Sequence, residues 1–304
     1  MGVKKQDTTG EEVPKVEAEI PEDPPLIKEL KVLDDKYLEQ ERAHQKELQA
    51  LERKFTERQQ PLLDERTKLL STGAGEGGTP ALTGFWLQAL KNHPSLEDAI
   101  EAWDEPVLKH LTDITTENVD SDADQGFRLT FHFAENPYIS NATLWKEYRT
   151  QEESPYSKET EVKSVKVSDI EWKDGQDVTV TRVTPKVKGG GAKKQKQKAK
   201  EKFEARDSFF RHIFRNMEQG MTVPDDVNVE MEDSDDENEA EIVEMMMSHD
   251  IEVGEAIRDQ IIPFAVRWYT GEASPEEDDD DDDDDDDHDC CQQYSWWNQH
   301  DNSG

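Results

Sequence analysis

The feature that most constrains this fold is an apolar stripe running through a long charged segment, residues 26–70. Leu26, Leu30, Leu33 and Tyr37 step by four, three and four residues, which places them on one face of a helix. The stripe resumes at Leu48, Leu51 and Phe55 and continues to Leu62 and Leu69. Eleven residues separate Tyr37 from Leu48, close to a whole number of turns. The face is therefore kept although the heptad lapses at Gln40 and His44. Most positions off the stripe hold Lys, Arg, Glu or Gln, all strong helix formers. A single helix over this segment is roughly 65 Å long at ~1.5 Å per residue, more than a domain of this size can cover. The pattern predicts a dimerisation helix with Leu30, Leu33, Tyr37, Leu48, Leu51, Phe55 and Leu62 at a homodimer interface. An isolated charged helix, or one packed only on its own domain, is the plainer reading. Pro61 removes one backbone hydrogen bond and predicts a kink near Gln59 to Leu62, not an end, because apolar residues follow it. The Gly-rich residues 71–78 predict the C-terminus.

The chain has 304 residues and a formal net charge of −36, and the charge is concentrated. Residues 278–287 are ten consecutive aspartates, and residues 225–241 are acidic-rich. Set aside with the charged N-terminus, these leave a middle of ordinary apolar content. The expected organisation is a disordered arm over residues 1–25, the long helix over 26–70, an α+β domain over 79–272 and an acidic disordered tail over 273–304. Cys290 and Cys291 are adjacent, so no disulfide framework or zinc spacing can be built from them. No stretch approaches the ~20 apolar residues of a membrane span, and no signal-peptide core is visible. A reducing cytosolic or nuclear compartment is expected. Gly2 opens a myristoylation pattern that fails at Gln6, and the sequon at Asn141 lacks a secretory context.

Within the middle, Gly84 to Asn92 predicts a helix carrying Phe85, Trp86, Leu87 and Leu90. Ser95 with Asp98 suggests a capping box ahead of Ile100 and Trp103. Asp104 followed by Pro106 suggests an N-cap for a third helix through Val107, Leu108 and Leu111. The period then changes to two. Phe127, Leu129, Phe131 and Phe133 alternate with polar residues, and Leu144, Lys146 and Tyr148 follow with Trp145 on the other face. Val162, Val165 and Val167 suggest a third strand. Lys173-Asp174-Gly175-Gln176 is a turn signal before Val178, Val180 and Val183. The fold class expected is α+β, a four-stranded antiparallel sheet covered by helices. Phe203, Phe209, Phe210, Ile213 and Phe214 read as a core helix. The segment from Ile242 to Tyr269 reads as a helix pair, with a kink at Pro263.

No phosphate-binding glycine loop, nucleophile elbow or HExxH pair occurs. His288, Asp289, Cys290, Cys291 and His300 lack the separated pairs of structural zinc sites. No enzyme activity, metal or cofactor is expected. Electrostatics is what remains. An acidic chain with a polyanionic tail attracts basic partners and repels nucleic acid and anionic membrane. The candidate binding residues are Glu276, Glu277, Asp278, Asp279, Asp280, Asp281, Asp282, Asp283, Asp284, Asp285, Asp286 and Asp287. Charge alone allows histones, ribosomal proteins or protamine-like peptides, and also a merely solubilising tail. Residues 186–202 are basic, which suits either an import signal or a solvated loop. Ser234, flanked by Glu232-Asp233 and Asp235-Asp236, is a candidate phosphosite.

Ordered blocks across residues 26–275 resemble the nucleosome assembly protein family of histone chaperones. They include Leu51-Glu52-Arg53-Lys54-Phe55, Gln60-Pro61-Leu62-Leu63-Asp64-Glu65-Arg66, Gly84-Phe85-Trp86-Leu87 and Asp104-Glu105-Pro106-Val107-Leu108-Lys109. Gly126-Phe127-Arg128-Leu129, Ile170-Glu171-Trp172-Lys173, Asp207-Ser208-Phe209-Phe210 and Ile261-Ile262-Pro263 continue the series. The resemblance implies an antiparallel dimer on long crossing helices and binding of core histones, both the heterodimer-forming and the tetramer-forming pairs. It also implies nucleosome assembly and shuttling between cytoplasm and nucleus. Lys193, Lys194, Lys196, Lys198 and Lys200 become the candidate nuclear localisation signal, read by import receptors. Leu26, Ile27, Leu30 and Leu33 fit an export signal as well as the seam. Cys291-Gln292-Gln293 is similar to the prenylation box of some family members, but the chain continues to Gly304, so no lipid is expected. A phosphatase inhibitor of the wider superfamily is the alternative reading, and an import adaptor without assembly activity is a third.

Overall fold

The computed structural model describes residues 23–72, 81–119, 126–152, 160–183, 202–227 and 239–274, with Ser154 and Tyr156. Its first element, α1 (Pro25–Ser71), is one helix of 47 residues, about 70 Å long at ~1.5 Å per residue. Proline at N1 suits a position whose N–H has no intrahelical partner. The helix passes through Pro61 without ending. It stops where the Thr72 N–H and Oγ1 both turn back to the Leu69 carbonyl. Leu70 alone is buried among its residues.

Three short helices, α2 (Phe85–Lys91), α3 (Pro94–Glu97) and α4 (Glu105–Leu108), lead into the sheet, which begins with β1 (Leu111–Asn118). The N-cap of α3 is His93, whose side chain accepts the Ser95 N–H; the box expected between Ser95 and Asp98 does not form. Leu111 belongs to β1 and not to the third helix, which ends at Leu108. Threonines 112, 115 and 116 with Ile114 explain this, since β-branched side chains suit a pleated strand better than a helix.

The main sheet is antiparallel in the order β1, β2 (Gly126–Phe133), β3 (Thr143–Glu152), β4 (Thr160–Val167), with a two-residue fifth strand β7 (Met217–Glu218) at the far edge. Phe127, Leu129, Phe131 and Phe133 are buried while Arg128, Thr130 and His132 are partly exposed, the alternation that a sheet with one packed face requires. Val180–Val183 (β5) does not join this sheet. It pairs with β6 (Lys202–Ala205) in a separate two-stranded ribbon. Phe203 therefore lies in a strand, 58% exposed, and not in a core helix. The turn at Lys173–Gln176 forms, with Gly175 at φ 68°, but it does not close a hairpin between paired strands.

The packed face of the sheet meets α5 (Phe209–Ile213), α6 (Glu239–Ala256) and α7 (Ile262–Thr270) around Phe131, Phe209, Phe210, Val243, Met247 and Ile261. A π-helical turn, Ile257–Ile261, joins α6 to α7, and Phe264 just after Pro263 leaves the helical region (φ −114°, ψ 27°). That wider turn brings the Arg258 guanidinium 4.2 Å from the centre of the Phe127 ring.

His93 links α3 to this last helix and carries a pH dependence. Its Nδ1 accepts the Ser95 N–H at 3.2 Å, so the ring proton resides on Nε2, 3.1 Å from Gln260 Oε1. Burial against Trp268, ring centres 4.4 Å apart, lowers the imidazole pKa, and the Gln260 bond opposes this only in part. Because the folded pKa lies below the unfolded value of about 6.5, the unfolded chain takes up the proton first. The stability His93 contributes is complete above about pH 6.5 and is lost as pH falls below it. His110 and His212 are depressed by burial in the same sense. The melting temperature is expected to fall between pH 7.5 and 5.5, and His93→Gln to make that fall shallower. Calorimetry across this range checks it.

Candidate functional site

The apolar stripe of α1 faces solvent. Leu30, Leu33, Tyr37, Leu48, Leu51, Phe55 and Leu62 are each between 38% and 68% exposed. At about 100° per residue the stripe from Leu26 to Leu69 stays within an arc of roughly 60°, so a straight helix presents it as one continuous seam. From Pro24 to Leu62 every residue is exposed except Leu38, Glu41 and Gln49, which are half-buried. So long an apolar seam on a charged helix calls for a partner surface.

The helix is held to the domain by its last three turns. Arg66 Nη1 donates to the Ile262 carbonyl at the start of α7, and its guanidinium lies 5.0 Å from the Trp86 ring centre. Trp86 in turn donates from Nε1 to the Thr112 carbonyl at 2.8 Å. Thr67 Oγ1 donates to Asp113 Oδ2 at 2.8 Å, and the Ala81 N–H returns to the Leu70 carbonyl. Contacts to α2, α7 and β1 thus fix the direction in which some 60 Å of helix projects at ~1.5 Å per residue.

Behind the sheet lies a buried ion pair, Lys146 with Asp250, whose members the sequence pattern places in a strand and in a helix without joining them. Lys146 follows Leu144 and precedes Tyr148 on the core-facing side of β3, and its side chain is fully enclosed. Its Nζ donates to Asp250 Oδ1 on α6 at 2.6 Å and to the Ile213 carbonyl at the end of α5. Tyr148 Oη donates to the Asp250 carbonyl at 2.9 Å. Burial pushes the ammonium pKa down and the carboxyl pKa up, while their mutual attraction opposes both shifts. Gly254, one turn after Asp250, makes this approach possible, since a Cβ there would stand 2.5 Å from the Tyr148 ring. The signal available in sequence was a lysine at an apolar position of a period-two pattern.

Asp104 is a second buried acid, and its role differs from the one its sequence context suggests. Its carboxylate makes no cap bond to α4. Instead it accepts Ser208 Oγ–H at 2.5 Å, the Phe209 N–H at 2.7 Å and the Glu101 N–H at 3.1 Å, capping α5 from across the fold. Burial still raises its pKa, with Ser208 and the two backbone donors opposing. Two of the sequence blocks, at residues 104 and 207–210, are thereby one structural joint.

The charged segments are presented at defined roots. Val183 pairs with Lys202, so the basic residues Lys193, Lys194, Lys196, Lys198 and Lys200 belong to the connection between two adjacent strands; they lie outside the described residues. Arg211 and Arg215 both bond Asp226, Arg215 through two nitrogens at 3.0 and 2.8 Å. These guanidiniums more than offset burial and lower the Asp226 carboxyl pKa. That fork fixes the chain just before the acidic segment, in which Ser234 also lies outside the described residues. The acidic tail residues 276–287 do likewise, following Ser274, whose Oγ donates to the Asn92 carbonyl at 3.0 Å. Among the described residues no group of three His, Cys, Asp or Glu is placed to hold a metal ion. No helix among them is long and apolar enough to cross a membrane.

Comparison with known proteins places these features in context. The family profile described as "Nucleosome assembly protein (NAP)" matches residues 26–272. Nucleosome assembly protein 1;1 of Oryza sativa subsp. japonica is 32% identical over 287 residues, covering 89% of this chain and 71% of the relative. Nucleosome assembly protein 1;2 of Oryza sativa subsp. indica is 33% identical over 242 residues, 75% of this chain, which spans 61% of that relative's length. Among solved structures, nucleosome assembly protein 1 from Plasmodium knowlesi superposes with a TM-score of 0.61 at 30% identity, covering 81% of this chain and 95% of that one.

Proposed function

We propose, from the premise that this chain belongs to the nucleosome assembly protein family, that it is a homodimeric histone chaperone. It receives core histones on acidic surfaces, keeps them from nonspecific DNA contacts and delivers them for nucleosome assembly. The observation that carries this reading is the exposed seam on a helix anchored rigidly to its domain. Two copies joined along that seam hold two acidic domains at a fixed separation, so that one basic partner meets both. Both histone pairs, the heterodimer-forming and the tetramer-forming, suit such a surface. The basic connection between β5 and β6 supplies the candidate import signal, in keeping with a nuclear and cytoplasmic distribution. The phosphatase-inhibitor alternative draws no support from a particular contact in the fold.

Charge density accounts for release. Extended polyaspartate carries one charge per roughly 3.3–3.6 Å of chain, whereas duplex DNA carries one per ~1.7 Å of axis. The chaperone outcompetes disordered histone–DNA contacts and yields to wrapped DNA. Deleting residues 278–289 is expected to weaken histone binding by about tenfold at low salt and to flatten its salt dependence. Titration of labelled histones at two salt concentrations measures this, and unchanged affinity at both would assign the binding to the folded domain. Plasmid supercoiling with purified core histones separates assembly from carriage, and phosphate at Ser234, worth about −1.5 to −2 charges, is expected to raise histone affinity.

A further inference from the structure

The last described residue, Ser274, is fastened to the fold by its hydroxyl. Gly271, at φ 80°, ends α7, and the chain turns there. The Ala273 N–H bonds the Arg267 carbonyl, and the Ser274 N–H bonds the Gly271 carbonyl. Ser274 Oγ then donates to the Asn92 carbonyl at 3.0 Å. Asn92 is the C-cap of α2, and its side chain donates to the Trp268 carbonyl at 2.7 Å. The Ser274 hydroxyl thus carries the bond that ties the root of the acidic tail to α2.

The sequence at this joint, Ser274-Pro275-Glu276-Glu277, combines two features that protein kinases select. Proline follows the serine directly, and a carboxylate stands three residues on. Pro275 also disfavours helical backbone at Ser274, and Ser274 is partly exposed. Ser95 and Ser168 likewise have a carboxylate three residues on, Asp98 and Glu171. Ser95, however, lies inside α3, and Ser168 Oγ accepts the Trp145 N–H of β3 at 2.9 Å. Bonds at the margin of a domain open at little cost, so the Ser274 hydroxyl can leave Asn92 and enter a kinase.

We infer that Ser274 is a phosphorylation site, and that the phosphate unfastens the root of the acidic tail from α2. Ser274 Oγ attacks the γ-phosphorus of ATP held by a protein kinase. The Oγ–P bond forms as the P–O bond to the β-phosphate breaks, ADP leaves, and the hydroxyl proton passes to the kinase's base. The modified side chain has lost its donor and sets acceptor oxygens against the Asn92 carbonyl, at the negative end of α2. The cations nearest in sequence, Lys91 and Arg267, are already paired with Glu105 and Glu272. Glu276 and Glu277 follow directly. Phosphate is therefore repelled from this joint, and it adds about −1.5 to −2 charges at the head of the polyanion. The inference does not depend on which partner the tail receives.

The full chain is incubated with ATP and an acid-directed kinase, and separately with a proline-directed one, and the phosphate is located by mass spectrometry. Ser274 is expected to be modified by at least one of them, and Ser274→Ala to lose that phosphopeptide. Hydrogen exchange then reads the joint. Ser274→Ala removes one hydrogen bond and is expected to speed exchange at the Ala273 and Ser274 amides by about fivefold. Phosphorylation is expected to speed it further, because repulsion adds to the lost bond, and Ser274→Asp to fall between the two. The melting temperature of the domain should stay the same in all of them. A chain that takes no phosphate at Ser274 from either kinase would overturn the inference. So would a phosphorylated chain whose Ala273 and Ser274 amides exchange at the unmodified rate.

Discussion

Asp250→Ala is expected to destabilise the fold by about 3–5 kcal/mol, the range for breaking a buried ion pair by removing one partner. The cost arises on the other side of the pair. Lys146 has no route to solvent, and without Asp250 its ammonium keeps one hydrogen-bond partner, the Ile213 carbonyl, beside the Tyr148 ring. The tie between β3 and α6 then rests on Tyr148 and the Asp250 backbone carbonyl. Replacing both partners, Lys146→Met with Asp250→Leu, is expected to recover most of the loss, since apolar groups of similar volume need no compensating charge. Urea unfolding of the two variants beside the wild type measures the difference. A single variant as stable as the double one would show that the ammonium sheds its proton, or finds water, at little cost.

The same pair shows what the sequence conveys and what it conceals. The long helix was legible because its pattern is local, a 3.6-residue repeat of apolar side chains in a background of helix formers. The aromatic alternation of β2 was legible for the same reason, with period two. Strand membership was harder. Leu111, the first residue of β1, reads as the end of a capped helix, and Val180–Val183 reads as a partner of the sheet, because pairing is decided by residues far along the chain. The buried acids were harder still. Asp104 has a sequence context that fits an N-cap of α4, yet its bonds run to Ser208 and Phe209, about a hundred positions away. Asp250 sits in a helix among many other acids and differs from them only in facing Lys146. Where the candidate interface is concerned, periodicity identified the seam, while the anchorage by Arg66 and Thr67 that gives the seam its direction depends on tertiary contacts to Ile262 and Asp113.

The seam itself carries the largest functional expectation. Leu48, Leu51 and Phe55 are 38%, 49% and 48% exposed in the single chain. Covering the exposed halves of these three side chains in each of two copies contributes roughly 5–9 kcal/mol, comparable with the cost of bringing two chains together. Aspartate at all three positions removes that contribution and sets like charges against each other across the interface. The helix has no reason to unfold, because its domain-facing residues Leu63, Arg66, Thr67 and Leu70 are untouched. The variant should keep the melting temperature of the domain and bind histones more weakly, by tenfold or more, since one domain replaces two.

Sedimentation velocity on the triple variant Leu48→Asp, Leu51→Asp, Phe55→Asp, run beside the wild type at the same concentration, puts this most directly. The seam predicts a dimer for the wild type and a monomer for the variant, with matching circular dichroism. A variant that still sediments as a dimer would contradict the assignment of α1 as the surface that joins two copies.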